Sequence, residues 1–225
     1  MNESFSNDAQ RVLPTVRAFD LATMDGVPAE SLDGAEQARA AGMMDAKSRE
    51  HFIAGRVAQR IMAAELLHAK PQELLAAYLC PDCGPQPRSS HGRPGYLLHG
   101  VPAALSISFS RSHGWALAAM VPTAGLRIGI DLEHRAAVGF AGFDDVALSA
   151  AEKLSVLRLA PDAQDAWRVA VWARKEALAK HSGLGLRTDP REIPAYPEPA
   201  KGVELWDLDR EVLGLPAGFA AALAF

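Results

Sequence analysis

The feature of this 225-residue chain that most limits its fold is an order of elements that occurs twice. Residues 16–23 show the partial alternation of a strand, and a long helix follows from about Ala46 to His68. There Ile53, Val57, Ile61 and Ala64 recur at helical spacing until Lys70-Pro71 stops the run. Cys80 to Gly100 is dense in Pro, Gly and Ser and reads as loop. Leu105 to Ser110 alternates, Arg111-Ser-His-Gly114 turns the chain, and Trp115 to Val121 returns as a partner strand. The second half repeats the order. Arg127 to Glu133 is a strand, and Ser149-Ala-Ala-Glu152 is a capping box opening a short helix to about Leu159. Pro161 breaks that helix, and a longer one runs from about Ala163 to His181, closing at Ser182-Gly183. Val203 to Leu208 and Phe219 to Phe225 supply two closing strands. The expectation is an α+β fold of pseudo-two-fold duplicated halves, 1–122 and 123–225, each a long helix packed on a small antiparallel sheet. The functional cleft then falls where the halves meet.

Composition narrows the classes of function. At 49% apolar and 22% charged residues the chain is an ordinary globular one, which excludes disorder, collagen and coiled coil. Lys and Arg number 23 against 27 Asp and Glu, and the resulting charge of −4 argues against a nucleic-acid partner while leaving room for a local basic pocket. Only Cys80 and Cys83 are present, so no disulfide framework is possible and a reducing compartment is expected. The start carries acids rather than an apolar signal core. Trp115–Pro122 and Phe219–Phe225, the longest apolar stretches, are far shorter than the roughly 20 residues that cross a bilayer. These features predict a cytoplasmic protein with no membrane partner.

Several residues carry chemistry. In Ile128-Gly-Ile-Asp131-Leu-Glu133 the period of two puts both carboxylates on one face and Ile130 and Leu132 on the other. Such a pair suits a hard cation such as Mg²⁺, and a solvated strand edge is the competing reading. Trp172, Glu176 and Lys180 follow one another at i,i+4 on one helix face, with Lys175 beside them. That mixture of acid, cation and aromatic wall suits a polyphosphate. Arg49, Arg56 and Arg60 form a stripe on the first long helix. At the turn, Ser112 and His113 are either a polar turn or a close approach to phosphate. A serine-hydrolase reading fails because there is no Gly-x-Ser-x-Gly elbow and Ser112 abuts His113 directly. Cys80-Pro-Asp-Cys83 with His91 and His99 matches no common zinc spacing, and a loop-ordering role is the better reading.

Taken in order, Gly92-Arg-Pro94, Phe109-Ser-Arg-Ser112-His113, Gly129-Ile-Asp131-Leu-Glu133 and Trp172-Ala-Arg-Lys-Glu-Ala-Leu-Ala-Lys180 resemble the surfactin-synthetase-activating type of 4′-phosphopantetheinyl transferase. The resemblance implies transfer of the phosphopantetheine arm of coenzyme A to a serine of an apo acyl or peptidyl carrier protein, with release of 3′,5′-ADP. It implies Asp131, Glu133 and Glu176 around Mg²⁺, with Glu176 and Lys180 as the catalytic pair. It further implies that Lys175 and Lys180 neutralise the pyrophosphate, which Asp131 also helps to bind through the metal, while Arg49, Arg56, Arg93, Pro94, Ser112 and His113 hold the nucleotide and its 3′-phosphate. A chain that supplies both halves itself is expected to be a monomer. Arg111 departs from the family pattern by adding a cation before Ser112. Residues 135–147, with Val138, Phe140 and Phe143, are either an apolar surface for a carrier-protein helix or a loop packed on the core. A non-catalytic module binding coenzyme A or carrier is the alternative of another class, against which the acids speak.

Overall fold

The computed structural model describes residues 12–24, 32–80, 84–85, 92–196 and 202–225. In chain order, β1 (Thr15–Asp20) leads through α1 (Gly34–Ala41) to the long α2 (Ala46–Leu66). Short strands β2 (Leu74–Ala76), β3 (Leu79–Cys80), β4 (Gly84–Pro85), β5 (Tyr96–Leu98) and β6 (Val101–Pro102) precede the hairpin β7 (Ser106–Ser112) and β8 (Trp115–Val121). The second half contains β9 (Gly129–His134), α3 (Phe143–Ala147), α4 (Ala150–Val156), the long α5 (Pro161–Ser182), β10 (Leu205–Asp207) and β11 (Phe219–Ala224). The mixed α+β class is as expected.

Both principal sheets are antiparallel and have the same internal order, first strand, last strand, middle strand: β1-β8-β7 and β9-β11-β10. The Pro- and Gly-rich stretch assigned to loop departs from expectation, since β5 and β6 pair there with β2 as a third small sheet. The capping box reads as expected, with Ser149 Oγ accepting from Glu152 N–H and the Glu152 carboxylate accepting from Ser149 N–H. Pro161 occupies the first turn of α5, where its missing N–H costs nothing. Gly183 closes that helix at φ 77°, a left-handed conformation glycine adopts without penalty.

Packing follows from alternation along the strands. On β8, Ala118 and Met120 join Met62, Ala63 and Leu74 in a core beneath α2. Leu117, Ala119 and Val121 point the other way, onto Ile130, Leu132 and Leu223 of the second sheet. Ile130 and Leu132 are thus core, as their spacing predicted. α5 lies on the remaining face of the second sheet, where Ala173 and Ala177 meet Ala222 and Ala224. Its approach is so close that a Cβ on Gly129 would fall 1.9 Å from the Ala177 carbonyl oxygen, so only glycine fits.

The seam between the halves is built from serines. Ser106, Ser108, Ser110 and Ser112 alternate along β7 and share one face. Ser106 Oγ donates to the Thr123 carbonyl at 2.8 Å and accepts from Leu126 N–H at 3.0 Å. Ser108 Oγ accepts from Ile130 N–H at 2.9 Å, and Ser110 Oγ donates to Asp131 Oδ1 at 2.7 Å. Hydroxyls thereby satisfy a strand edge that no backbone ladder covers. Ser108→Ala leaves the Ile130 N–H buried without its acceptor and should destabilise the protein by about 1–3 kcal/mol in urea unfolding. An unchanged unfolding midpoint would contradict this role.

Candidate active site

A cleft of about 750 Å³ opens beside this seam, a size typical of small-molecule sites. One wall carries Asp131 and Glu133 from β9 with Trp172, Glu176 and Lys180 from α5. The lining also includes Arg39, Arg56, Arg93, Pro94 and Arg111 from the first half and Arg187 beyond α5. Carboxylates and guanidiniums thus line one cavity.

The acidic wall is centred on Asp131, which is 2% exposed. Its Oδ1 accepts from Ser110 Oγ at 2.7 Å and from Lys180 Nζ at 2.6 Å, and Lys180 also donates to the Ile130 carbonyl at 3.1 Å. The second oxygen, Oδ2, is buried with no hydrogen-bond partner. Glu133 is pushed up to about 7 by burial, then by Asp131, with Lys180 opposing and Glu176 adding to the rise. Burial and then Asp131 also hold Glu176 above the ordinary carboxylate range, again against Lys180. Clustered acids with raised proton affinity mark a place where added positive charge is welcome. Trp172 stands at the cleft margin with its ring edge-on to Phe143, 5.9 Å between centroids.

Among the arginines, Arg56 stacks over Phe52 and Tyr78 at 5.3 and 4.9 Å and donates to Gln59 Oε1 at 2.9 Å. Arg93 donates to the His181 carbonyl at 2.7 Å, so the Gly92-Arg-Pro94 segment also caps the last turn of α5. Arg111 is exposed at the cleft, yet the protein beside its side chain displaces part of the surrounding water. That desolvation, followed by repulsion from Arg56 and Arg39, pushes its guanidinium down to about 10.

Four expected site residues fall elsewhere. Lys175 is 1% exposed, and its Nζ donates to Glu152 Oε2 at 2.6 Å, to the Ala147 carbonyl at 2.8 Å and to the Pro190 carbonyl at 2.9 Å. Three acceptors saturate the ammonium, so it clamps α4 and the 190 loop to α5 and does not reach the cleft. Arg49 bonds the Met43 carbonyl at 3.1 Å near the start of α2, away from the cleft lining. The arginine stripe therefore divides, for Arg60 is buried against Glu36 at 2.5 Å. Ser112 lies on the seam face, 3.4 Å from Glu133 Oε2, and His113 turns its ring onto His134 at 4.4 Å. Neither lines the cleft. Sequence reading does not single out Arg39, Ser110 or Arg187, and it gives Arg111 only as an added cation before Ser112; strand alternation places Ile107, Phe109 and Arg111 together on the α2 side.

Val138 and Phe143 are buried in the core with Val169 and Val171, while Phe140 and Val146 are exposed and Phe143–Ala147 is helical, so residues 135–147 are anchored to the core at a few positions and otherwise exposed. Cys83 and His91 lie outside the described residues, as does the Cys80 side chain. No helix among the described residues is long and apolar enough to cross a membrane.

Among the described residues no three His, Cys, Asp or Glu side chains stand close enough together to hold a metal ion by themselves. The donor chemistry does fit a hard cation that draws part of its shell from a ligand. Asp131 keeps a buried oxygen without a partner, and Glu133 and Glu176 line the same cavity. Mg²⁺ commonly takes only one or two carboxylates and completes its shell with waters and phosphate oxygens.

Residues 127–214 match the family model of the 4′-phosphopantetheinyl transferase superfamily. The matched segment includes Asp131, Glu133, Glu176 and Lys180, while the arginines of the first half lie before it. No curated protein matches the chain. The superfamily points to phosphopantetheinyl transfer in general, with coenzyme A as donor and carrier proteins as acceptors.

Two measurements probe this geometry. Lys175→Met strands Glu152 in the interior without its cation and should cost about 3–5 kcal/mol of unfolding free energy. A stable variant with weakened coenzyme A binding would instead restore Lys175 to the site. Folded Glu133 keeps its proton up to about 7, whereas an unfolded glutamate releases it near 4.5. Its contribution to stability is therefore complete below the lower value and is lost as pH rises through the higher one. The ligand-free protein should lose roughly 2 kcal/mol from this group between about pH 5 and 8. Glu133→Gln should flatten that slope, and an identical slope in the variant would contradict the assignment.

Proposed function

We propose that the chain is a Mg²⁺-dependent 4′-phosphopantetheinyl transferase that binds coenzyme A in this cleft and moves its arm to a serine of an apo acyl or peptidyl carrier protein. The observation that carries this reading is the meeting of Asp131, Glu133, Glu176 and Lys180 with Arg39, Arg56, Arg93 and Arg111 on the lining of one cavity. A nucleotide with a pyrophosphate and a separate terminal phosphate needs both kinds of group.

The carrier serine oxygen bonds to the phosphorus next to the pantetheine, and the bond from that phosphorus to the bridging oxygen breaks. The bridging oxygen leaves with 3′,5′-ADP, taking the electron pair. Glu176 accepts the serine proton; its raised pKa suits a base working near neutrality. Lys180, held 2.6 Å from Asp131 on the cleft lining, would neutralise the charge that collects on the pyrophosphate in the transition state. Asp131, with Glu133 or Glu176, would hold Mg²⁺, which supplies further positive charge to the phosphate oxygens. Arg56, Arg93 and Arg111 hold the nucleotide end, a duty that includes Arg111 in place of the expected Ser112, His113 and Arg49.

On this reading the halves 1–122 and 123–225 each supply part of the cleft, and the chain works as a cytoplasmic monomer. Its carrier belongs to a fatty-acid, polyketide or nonribosomal-peptide synthase. Incubation of an apo-carrier with coenzyme A and Mg²⁺ should add the mass of the arm. Glu176→Gln should slow that transfer by about 10²-fold or more while leaving coenzyme A affinity nearly intact. Near-normal turnover in the variant would refute the assigned base.

A further inference from the structure

One buried ring serves three cations. Arg39 of α1, Arg56 of α2 and Arg111 of β7 lie 5.4, 5.3 and 5.5 Å from the ring centroid of Phe52. Phe52 is 1% exposed, and all three arginines line the cleft. Like charges gathered this closely repel one another, and the negative face of an aromatic ring offsets part of that repulsion. Glu36 stands 3.8 Å from Arg56, but its other oxygen is held by Arg60 at 2.5 Å, and no carboxylate among the described residues is within ion-pair range of Arg111.

Gly55 provides the second observation. It sits one turn after Phe52, buried in the middle of α2, where glycine weakens a helix. A Cβ there would stand 3.0 Å from Arg111 Cδ and 3.5 Å from the Phe109 ring. The missing side chain is the passage through which Arg111 crosses α2. Alternation on β7 aims Arg111 toward this passage, whereas its neighbour Ser112 faces the seam.

We infer that Phe52 and Gly55 are positioning residues that seat Arg111 beside Arg39 and Arg56, so that three guanidiniums meet a single terminal phosphate dianion. The inference rests on the coenzyme A reading, in which that group is the 3′-phosphate. A phosphate monoester offers three terminal oxygens and up to two charges, which suits several guanidinium donors better than a bridged diphosphate does.

Calorimetric titration with coenzyme A and with dephospho-coenzyme A, which lacks only the 3′-phosphate, tests the inference. The unaltered protein should bind coenzyme A at least tenfold more tightly than dephospho-coenzyme A. Phe52→Leu keeps an apolar filling but removes the ring, and Gly55→Val closes the passage on Arg111. Each should weaken coenzyme A binding about tenfold while leaving dephospho-coenzyme A affinity within twofold. A parallel loss for both ligands in both variants would mean a merely structural role and overturn the inference, as would unchanged coenzyme A affinity. Equal affinity of the unaltered protein for both ligands would overturn it while leaving the coenzyme A reading standing. If the unaltered protein binds neither ligand, the coenzyme A reading itself fails.

Discussion

Asp131 is the point on which the halves and the site both depend. One carboxylate oxygen accepts a hydroxyl from Ser110 of the first half and an ammonium from Lys180 of α5. A buried carboxylate is costly unless hydrogen-bonded and paired, and these two donors meet both needs for a single oxygen. The other oxygen remains buried and unpartnered. The bonds that join the halves therefore also hold an acceptor ready in the cleft. Burial first and then the charge of Asp131 raise the proton affinity of Glu133 and Glu176 beside it.

The seam and the arginine cluster differ in chemistry because a strand has two faces. β7 sends serines toward β9 and sends Ile107, Phe109 and Arg111 toward α2. The same seven residues thus close the seam with hydroxyls and furnish a cation to the cleft. α5 is divided in a similar way. Glu176 and Lys180 line the cleft, Lys175 is clamped in the interior, and Ala173 and Ala177 lie flat on the second sheet. Small side chains at that contact, together with Gly129, let the helix come close enough for Lys180 to reach Asp131.

Much of this was legible in the sequence because it is periodic. The order of elements, the pairing of Asp131 with Glu133 and the shared face of Trp172, Glu176 and Lys180 need only the periods of strand and helix. Lys175 was not legible. Successive helix residues point about 100° apart, and nothing local reveals that Glu152 and two carbonyls wait on its side. The turn was misjudged for a related reason. Ser112 and His113 stand at the tip, whereas the cleft is lined by the preceding strand residues, Ile107 to Arg111, from both of its faces. The sheet formed by β2, β5 and β6 escaped notice because strands of two or three residues leave no periodic trace among prolines and glycines. Arg39 comes from α1, which carried no motif, and only tertiary packing brings it to Phe52.

The most direct test of the account is a crystal structure of the protein with coenzyme A and Mn²⁺ in place of Mg²⁺, read by anomalous scattering. One ion peak is expected against the unpartnered oxygen of Asp131, shared with Glu133 or Glu176, with the pyrophosphate completing its shell and the adenosine end among the arginines. A nucleotide bound outside this cleft, or a pyrophosphate there with no ion between it and the carboxylates, would contradict it.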